Sequence, residues 1–229
     1  MRDGILLGGM LTNSESWINV TQANIDELEK PDTNLQRKVL AAEGNPSKVF
    51  MMLELGFIPV RFVVMQKRLQ FLHYILKENT ESIMRQVFDT LKSESRYGDF
   101  VYLTNRDKRD LQIDLSEDEI EAMPKKKWKL YLKKKTISAA FDYLVYENRN
   151  KEKTKMIVFE QLEMSQYLKE NISTSLSQVI FSIRSKTLDI KEFQPWKYKD
   201  SFCVKCELVP ETMSNFSTCP EYETKVENN

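Results

Sequence analysis

Apolar residues recur every three or four positions along most of this chain. The clearest pattern follows Pro59, where the repeating positions are Phe62, Met65, Leu69, Leu72 and Leu76. A longer pattern occupies residues 125–147 and carries Trp128, Tyr131, Leu132, Ile137, Phe141 and Leu144. Spacings of three and four place side chains on one face of an α-helix. Both segments are therefore predicted to be helices with one buried face.

Shorter helices are predicted on both sides of these two. Their ranges are residues 21–40, interrupted near Pro31; 47–55, ended by Gly56; 83–91; 100–111; 116–123, opened by a Ser116–Glu119 capping box; 159–168; and 176–188. The chain has only six glycines and seven prolines, whereas Lys, Leu, Glu and Met are plentiful. This composition favours helices over a turn-rich β-fold. The predicted fold class is all-α, with about eight to ten helices.

Breaks in the pattern divide the chain into three segments. Residues 148–155 are charged and lack apolar periodicity, so they are predicted to be a linker. Beyond Lys191 the sequence becomes rich in aromatic residues and contains all three cysteines. We therefore predict a helical domain over residues 1–147, a helical extension over 156–192 and a small irregular tail over 193–229.

Overall charge and cysteine content limit the partners and the compartment. The chain has 34 basic and 34 acidic side chains, so its net charge predicts no partner and any electrostatic argument must be local. An odd number of cysteines argues against a disulfide framework and favours a reducing compartment, the nucleus or the cytoplasm. No run approaches the ~20 apolar residues of a membrane span, so no membrane association is expected.

One segment of the chain is strongly basic. Residues 125–135 read KKKWKLYLKKK, and their lysines are Lys125, Lys126, Lys127, Lys129, Lys133, Lys134 and Lys135. Lysines interleaved with aromatics are typical of proteins that bind single-stranded nucleic acids. On a helix, however, Trp128 and Tyr131 share a stripe with Leu132 and should face the core. The acidic run at residues 114–121 would also neutralise part of the charge. Spacing alone therefore favours a solvated basic face over a binding surface.

The tail contains a potential metal site. Cys203 and Cys206 form a C-x₂-C pair, and Cys219 follows. Such a pair can place two thiolates on one tetrahedral zinc ion. A CCHC-type site would need histidine where this chain has Asn215, so the sequence offers three thiolates and an open or water-filled fourth position. The alternative is a tail without metal, in which the three cysteines are free.

No catalytic motif is present in the sequence. It has no Asp-Asp pair, no G-x-x-x-x-G-K loop, no G-x-G-x-x-G turn and no H-E-x-x-H. The single histidine, His73, cannot form the usual catalytic triad with a serine or a two-histidine metal site, and we expect it to be a partly buried structural residue. The residues therefore predict no enzyme.

Eight short strings follow one another in the order typical of one family. They are residues 14–17 (SESW), 53–61 (LELGFIPVR), 68–76 (RLQFLHYIL), 98–100 (GDF, where tryptophan is commoner at the third position), 140–144 (AFDYL), 162–168 (LEMSQYL), 183–186 (IRSK) and the cysteine tail from Cys203 to Pro220. Together they resemble the region that follows the polymerase active site in non-LTR retrotransposon reverse transcriptases. The resemblance covers nearly the whole chain and implies a thumb-like N-terminal part, connector helices and a degenerate zinc knuckle.

The resemblance also implies a function. In that family the catalytic aspartates lie upstream of this region, and some elements carry a nuclease domain downstream, so a non-catalytic fragment is expected here. The region is expected to hold nucleic acid, which predicts sequence-tolerant binding of RNA or single-stranded DNA through the lysines of residues 125–135, with Arg61, Lys67 and Arg68. The alternatives are a helical scaffold that binds proteins through exposed apolar faces, a relic with no selected function and, last, an enzyme whose site is unrecognised.

Overall fold

The computed structural model describes residues 2–17, 20–94 and 96–219, and this part of the chain is helical. The α-helices are α1 (Leu7–Met10), α2 (Gln22–Val39), α3 (Lys48–Leu55), α4 (Val60–Lys77), α5 (Ile83–Glu94), α6 (Phe100–Asp110), α7 (Glu117–Ala122), α8 (Lys125–Arg149), α9 (Gln166–Lys169), α10 (Thr174–Arg184) and α11 (Met213–Thr218). A π-helical turn (Arg2–Leu6) precedes α1. The only β-pairing among these residues is an isolated bridge between Phe202 and Pro210. The all-α prediction is confirmed. Met1, Pro220 and the rest of the predicted tail to residue 229 lie outside the described residues.

The core is built around α4. Its apolar face packs on α8 and on the three short helices between them. The buried members of this cluster include Leu69, Leu72 and Leu76 of α4, Phe88 of α5, Val101 of α6, Ile120 of α7, and Trp128 and Leu132 of α8. The two helices with the clearest apolar periodicity are therefore the two that form the centre of the fold.

Local signals in the sequence set several helix ends. Ser116 accepts a hydrogen bond from the backbone N–H of Glu119, and the Glu119 carboxylate accepts one from the N–H of Ser116, which confirms the capping box. Gly56 ends α3 at φ +66°, a conformation that favours glycine. A Cβ on Gly56 would also lie 2.6 Å from the backbone of Glu163 and Met164.

Helix α2 is continuous through Pro31, so the predicted interruption is wrong. Proline in a helix removes one backbone hydrogen bond at a cost of about 3 kcal/mol. Contacts on both sides of Pro31 hold the helix in place: Arg2 makes a two-pronged ion pair with Asp32 at 2.6 and 2.7 Å, and Lys48 pairs with Glu29. These tertiary contacts outweigh the tendency of Pro31 to interrupt the helix.

The predicted helix over residues 159–168 is also wrong, because only its end is helical, in α9. The preceding residues run across α3 instead. Phe159 packs edge-on against Phe50, and the backbone N–H of Ser165 donates to the carbonyl of Glu54 at 2.8 Å. This segment therefore buries its side chains against α3 and forms a hydrogen bond to the last turn of α3, instead of the hydrogen bonds of a helix.

Residues 148–155, the predicted linker, are mostly exposed and form a hydrogen-bonded turn around two buried residues. Helix α8 continues into this segment and ends at Arg149. Asn148 and Thr154 are buried and joined by two hydrogen bonds, one of them between the Thr154 hydroxyl and the Asn148 side-chain carbonyl at 2.6 Å. A polar pair that satisfies its own hydrogen bonds can be buried at little cost.

No single helix in the described ranges combines the length and apolar content of a membrane span. One pair, α3 with α4, reaches those limits together, and the two helices meet at a 61° bend. Most of the large apolar side chains of both helices are buried inside the fold.

Candidate nucleic-acid interface

Six lysines project from the first part of α8. Lys125, Lys126, Lys127, Lys129, Lys133 and Lys134 are all exposed, and we call them the lysine face. Within the described part of the chain, none of the six lies within ion-pair distance of a carboxylate. Leu130 lies among them and is 62% exposed. The predicted seventh member, Lys135, is half-buried and donates to the carbonyl of Gln112 at 2.7 Å.

The lysine face points outward because the other side of α8 is buried. Trp128, Leu132, Thr136 and Ala140, spaced by four, pack against α4 and its neighbours. The Trp128 indole is 1% exposed, and its N–H donates to the carbonyl of Leu69 at 3.1 Å. Tyr131 stacks on Trp128 with ring centroids 5.8 Å apart, and burial raises its pKa. The aromatics therefore face the core, as their spacing predicts, and Trp128 presents no ring to a base.

Among the described residues, the acidic run at residues 114–121 forms no ion pair with the lysine face. Glu117 pairs with Lys92 at 2.7 Å, and Glu121 lies 3.6 Å from Arg85, both on α5. The Glu119 carboxylate caps its own helix, and the backbone N–H of Ser116 lowers its pKa. Glu117 and Glu121 are thus directed towards α5, whereas Asp114 and Glu119 lie close enough to Tyr131 of α8 to contribute to its raised pKa.

Arg68 lies inside the fold rather than on a surface, which corrects its predicted role. Its side chain is 2% exposed, and its guanidinium pairs with the fully buried Asp107 at 2.5 Å. Burial raises the pKa of Asp107, and the nearby charge of Arg68 opposes that rise. A guanidinium held in this way is not accessible to a phosphate.

Arg61 and Lys67 are half-buried, and the charged group of each contacts another residue of the fold. The Arg61 guanidinium lies 3.5 Å from the ring centroid of Tyr143, within cation–π distance. The Lys67 ammonium donates to the carbonyl of Leu11 at 2.6 Å. Of the three basic residues predicted on α4, none is as accessible as the six lysines of α8.

A cleft of about 540 Å³ opens between α4 and the start of α8, and the sequence did not predict it. Its lining includes Phe71, Tyr74, Lys67 and Lys77 from α4 and Lys125, Trp128 and Lys129 from α8. Gln70, Tyr74 and Lys77 are spaced by three and four, so a polar stripe beside the apolar one was visible on α4. That stripe alone could not show which helix lies opposite.

His73 lies beneath this cleft and is buried, a more enclosed position than the partly buried one expected. Its Nε2 is 2.8 Å from the carbonyl of Met123, and its ring stacks on Trp128 with centroids 5.9 Å apart. These contacts join α4 to the connection before α8 and agree with a structural role.

The three cysteines of the tail lie together. Their sulfur atoms are all within 4.8 Å of one another, with Cys203 and Cys219 buried and Cys206 half-buried. The sulfurs of Cys203 and Cys219 are 3.9 Å apart. Two thiolates on one tetrahedral zinc ion, each ~2.3 Å from the metal, would be separated by about 3.8 Å. The cluster could therefore hold a metal ion.

The backbone around the cluster is arranged like a knuckle. The N–H of Cys203 donates to the carbonyl of Val209 at 2.7 Å, and the N–H of Lys205 points to the sulfur of Cys203 at 3.4 Å. Backbone N–H groups of Leu208 and Val209 lower the pKa of Cys206. Donors directed at sulfur stabilise the thiolate, which is the form that binds metal.

Asn215 does not supply a fourth ligand. Its side-chain amide donates to the carbonyl of Pro210 at 3.0 Å, and its backbone N–H donates to the hydroxyl of Thr212. Its side chain therefore supports the tail and the start of α11. Three thiolates and a fourth position open to water remain the donor set that this part of the chain offers.

Comparisons of the chain with models of protein families, with curated proteins and with solved structures find no match.

Proposed function

We propose that this chain binds RNA or single-stranded DNA with little sequence preference, through the lysine face of α8. The observation that carries the proposal is the set of six exposed lysines that lack carboxylate partners among the described residues. Lys125 and Lys134 are separated by about 14 Å along the helix axis and by about two and a half turns, so the six charges are spread around the exposed side of α8. A charged surface of this kind contacts phosphates and does not read bases, which accounts for sequence tolerance.

The proposed setting is a non-catalytic fragment of a non-LTR retrotransposon reverse transcriptase, as the resemblance of the sequence implies. A non-catalytic role is supported by the positions of the most buried carboxylates. Asp32, Glu54 and Asp107 are each paired with an arginine, and no two of them share a site. Carboxylates that are neutralised separately do not form the metal-binding pair that polymerase chemistry needs.

Salt should weaken binding steeply. If about five phosphates are contacted, the affinity for a fluorescent single-stranded RNA is expected to fall roughly 100- to 1,000-fold between 50 and 200 mM salt. Changing Lys126, Lys129, Lys133 and Lys134 to Gln should abolish most of this dependence, because fewer counterions are then released. Fluorescence anisotropy at a series of salt concentrations measures both effects.

A matched control separates a binding surface from overall charge. Lys38, Lys151, Lys155 and Lys199 are also exposed, and changing these four to Gln alters the net charge by the same amount. This variant should bind RNA like the parent. Equal losses in the two variants, or binding by the parent that ignores salt, would contradict the proposal.

A helical scaffold for protein partners is the second candidate. Helix α5 favours it, since Ile83, Met84 and Val87 form an exposed apolar group on one side of that helix. A scaffold of this kind needs no phosphate contacts. The absence of any salt-dependent RNA binding by the parent in the experiment above would make this the better proposal.

We also propose that the cysteine cluster binds zinc. The sulfur spacing, the directed N–H groups and the three thiols that make up the described cluster all support a thiolate-preferring ion. Zinc bound there would hold the Cys203–Cys206 turn against Cys219. Since a metal bound only by the folded form contributes its binding energy to folding, zinc would stabilise the tail.

Removing one thiolate should weaken zinc binding by more than about 100-fold, because even groups that only orient ligands contribute about 10- to 100-fold. Cys206→Ser is the suitable variant, since Cys206 is the least buried of the three. Competition with a chromogenic chelator measures the affinity of the reduced protein. Ser201→Ala, which changes an exposed neighbour, is the control and should bind one zinc ion as tightly as the parent. A parent that takes up no zinc would refute the site.

A further inference from the structure

We propose that the cleft between α4 and α8 binds one nucleotide, with its base against Tyr74 and its phosphate among Lys77, Lys125 and Lys129. This inference rests on the proposed function, because Lys125 and Lys129 belong to the lysine face. It adds a base-binding position to a surface that otherwise contacts only phosphates. The nucleotide is either one unit of a bound single strand or a free nucleotide.

The aromatic side of the cleft is suited to a flat ring. The Tyr74 side chain is 48% exposed, although it lies on the central helix of the core. Its ring is nearly parallel to that of Phe71, at 15° with centroids 6.2 Å apart. A base placed on the open side of Tyr74 would extend this stack. Stacking on aromatic side chains is how single-strand binding proteins hold bases without reading their identity.

The lysines around the cleft are suited to a phosphate. Lys77, Lys125 and Lys129 are exposed and have no carboxylate partner among the described residues, whereas the fourth lysine, Lys67, already donates to a backbone carbonyl. Among the described residues that line the cleft, Glu15 is the single carboxylate, so the four lysines leave an excess of positive charge. The Glu78 carboxylate accepts a hydrogen bond from the Tyr74 hydroxyl and raises its pKa, which leaves the face of the ring available to a base. An aromatic floor beside a cluster of ammonium groups matches a base linked to a phosphate.

The size of the cleft agrees with this ligand. Its volume of about 540 Å³ lies within the ~300–1,000 Å³ range of small-molecule sites. Lys133, which belongs to the lysine face but lies outside the cleft, follows Lys129 by about one turn of α8. A strand with one nucleotide in the cleft can therefore pass its neighbouring phosphates over that face.

The test compares two strands that differ only in their bases. One is a short fluorescent oligothymidine, and the other is an abasic strand of the same length and charge. The parent should bind oligothymidine about 5- to 100-fold more tightly than the abasic strand. Tyr74→Ala should remove this preference and leave abasic binding unchanged. Tyr74→Phe should keep it, because the ring remains, and Tyr146→Ala, an exposed tyrosine elsewhere on α8, should behave like the parent.

A titration with thymidine monophosphate distinguishes the two sources of the nucleotide. Binding of the free nucleotide that Tyr74→Ala abolishes, without binding of either strand, would support the cleft and refute the proposed single-strand function. Equal binding of both strands by the parent would refute the cleft and leave the proposed function standing. If neither strand nor the free nucleotide binds, both proposals are wrong.

Discussion

Replacing Arg68 with alanine is expected to destabilise the fold by about 3–5 kcal/mol, because it leaves the buried Asp107 carboxylate without its closer ion-pair partner and with Arg106 only at 3.8 Å. That loss is a large part of the ~5–15 kcal/mol that holds a typical domain together. Urea denaturation followed by the helical circular dichroism signal measures it. The control is Arg109→Ala, which removes an exposed arginine from the same helix as Asp107 and should cost less than about 0.5 kcal/mol.

A double variant shows whether the effect comes from the pair itself. Changing Arg68 to Met and Asp107 to Leu removes both charges and keeps apolar volume, so its stability should lie within about 1–2 kcal/mol of the parent. If Arg68→Ala lowers the free energy of unfolding by no more than Arg109→Ala does, the Arg68–Asp107 pair is solvated rather than buried.

The pH dependence gives a second readout of the same pair. Burial raises the pKa of Asp107 in the folded protein, and without Arg68 only the smaller effect of the Arg106 charge opposes that rise. A carboxyl whose folded pKa is above its unfolded value favours folding when it is protonated, and this contribution is lost as the pH rises through the folded pKa. The stability deficit of Arg68→Ala should therefore shrink as the medium becomes more acidic.

The position of Arg68 shows how far the sequence alone can predict this fold. The spacing of apolar residues predicts α4 and α8 well, since helices in a core must bury one face. Arg68 follows Met65 by three and precedes Leu72 by four, so that spacing also places it on the buried face. Its partner, Asp107, is 39 residues away on α6. Periodicity shows which face is buried but not which element lies against it.

The same reasoning separates the predicted and unpredicted parts of the candidate site. The lysine face was visible as a charge run, and the stripe through Trp128 showed which side of the helix is outward. The cleft was not visible, because Tyr74 and Lys129 are 55 positions apart and meet only through the packing of two helices. Likewise, Cys203 and Cys206 form a pair by spacing, whereas the approach of Cys219 depends on the path of the tail between them.

Trp128→Ala is expected to destabilise the protein by about 3–5 kcal/mol, because it empties the volume of the largest fully buried side chain. It also removes the indole N–H that donates to the carbonyl of Leu69, and the stacking partner of His73 and Tyr131. Urea denaturation measures the loss. Tyr146→Ala, on the exposed side of the same helix, should change stability by less than about 0.5 kcal/mol.

The Trp128→Ala variant distinguishes two roles for Trp128, which are stacking on bases at the surface and anchoring α8 in the core. If Trp128 stacked on bases from the surface, its removal would cost little stability, and a loss below about 1 kcal/mol would refute the core position. If it anchors the start of α8, amide hydrogen exchange should rise first in residues 125–135, because these turns then lose their main contact with α4. The lysines would become mobile with them. A core side chain would thus hold the charges of the lysine face in position without contacting the nucleic acid.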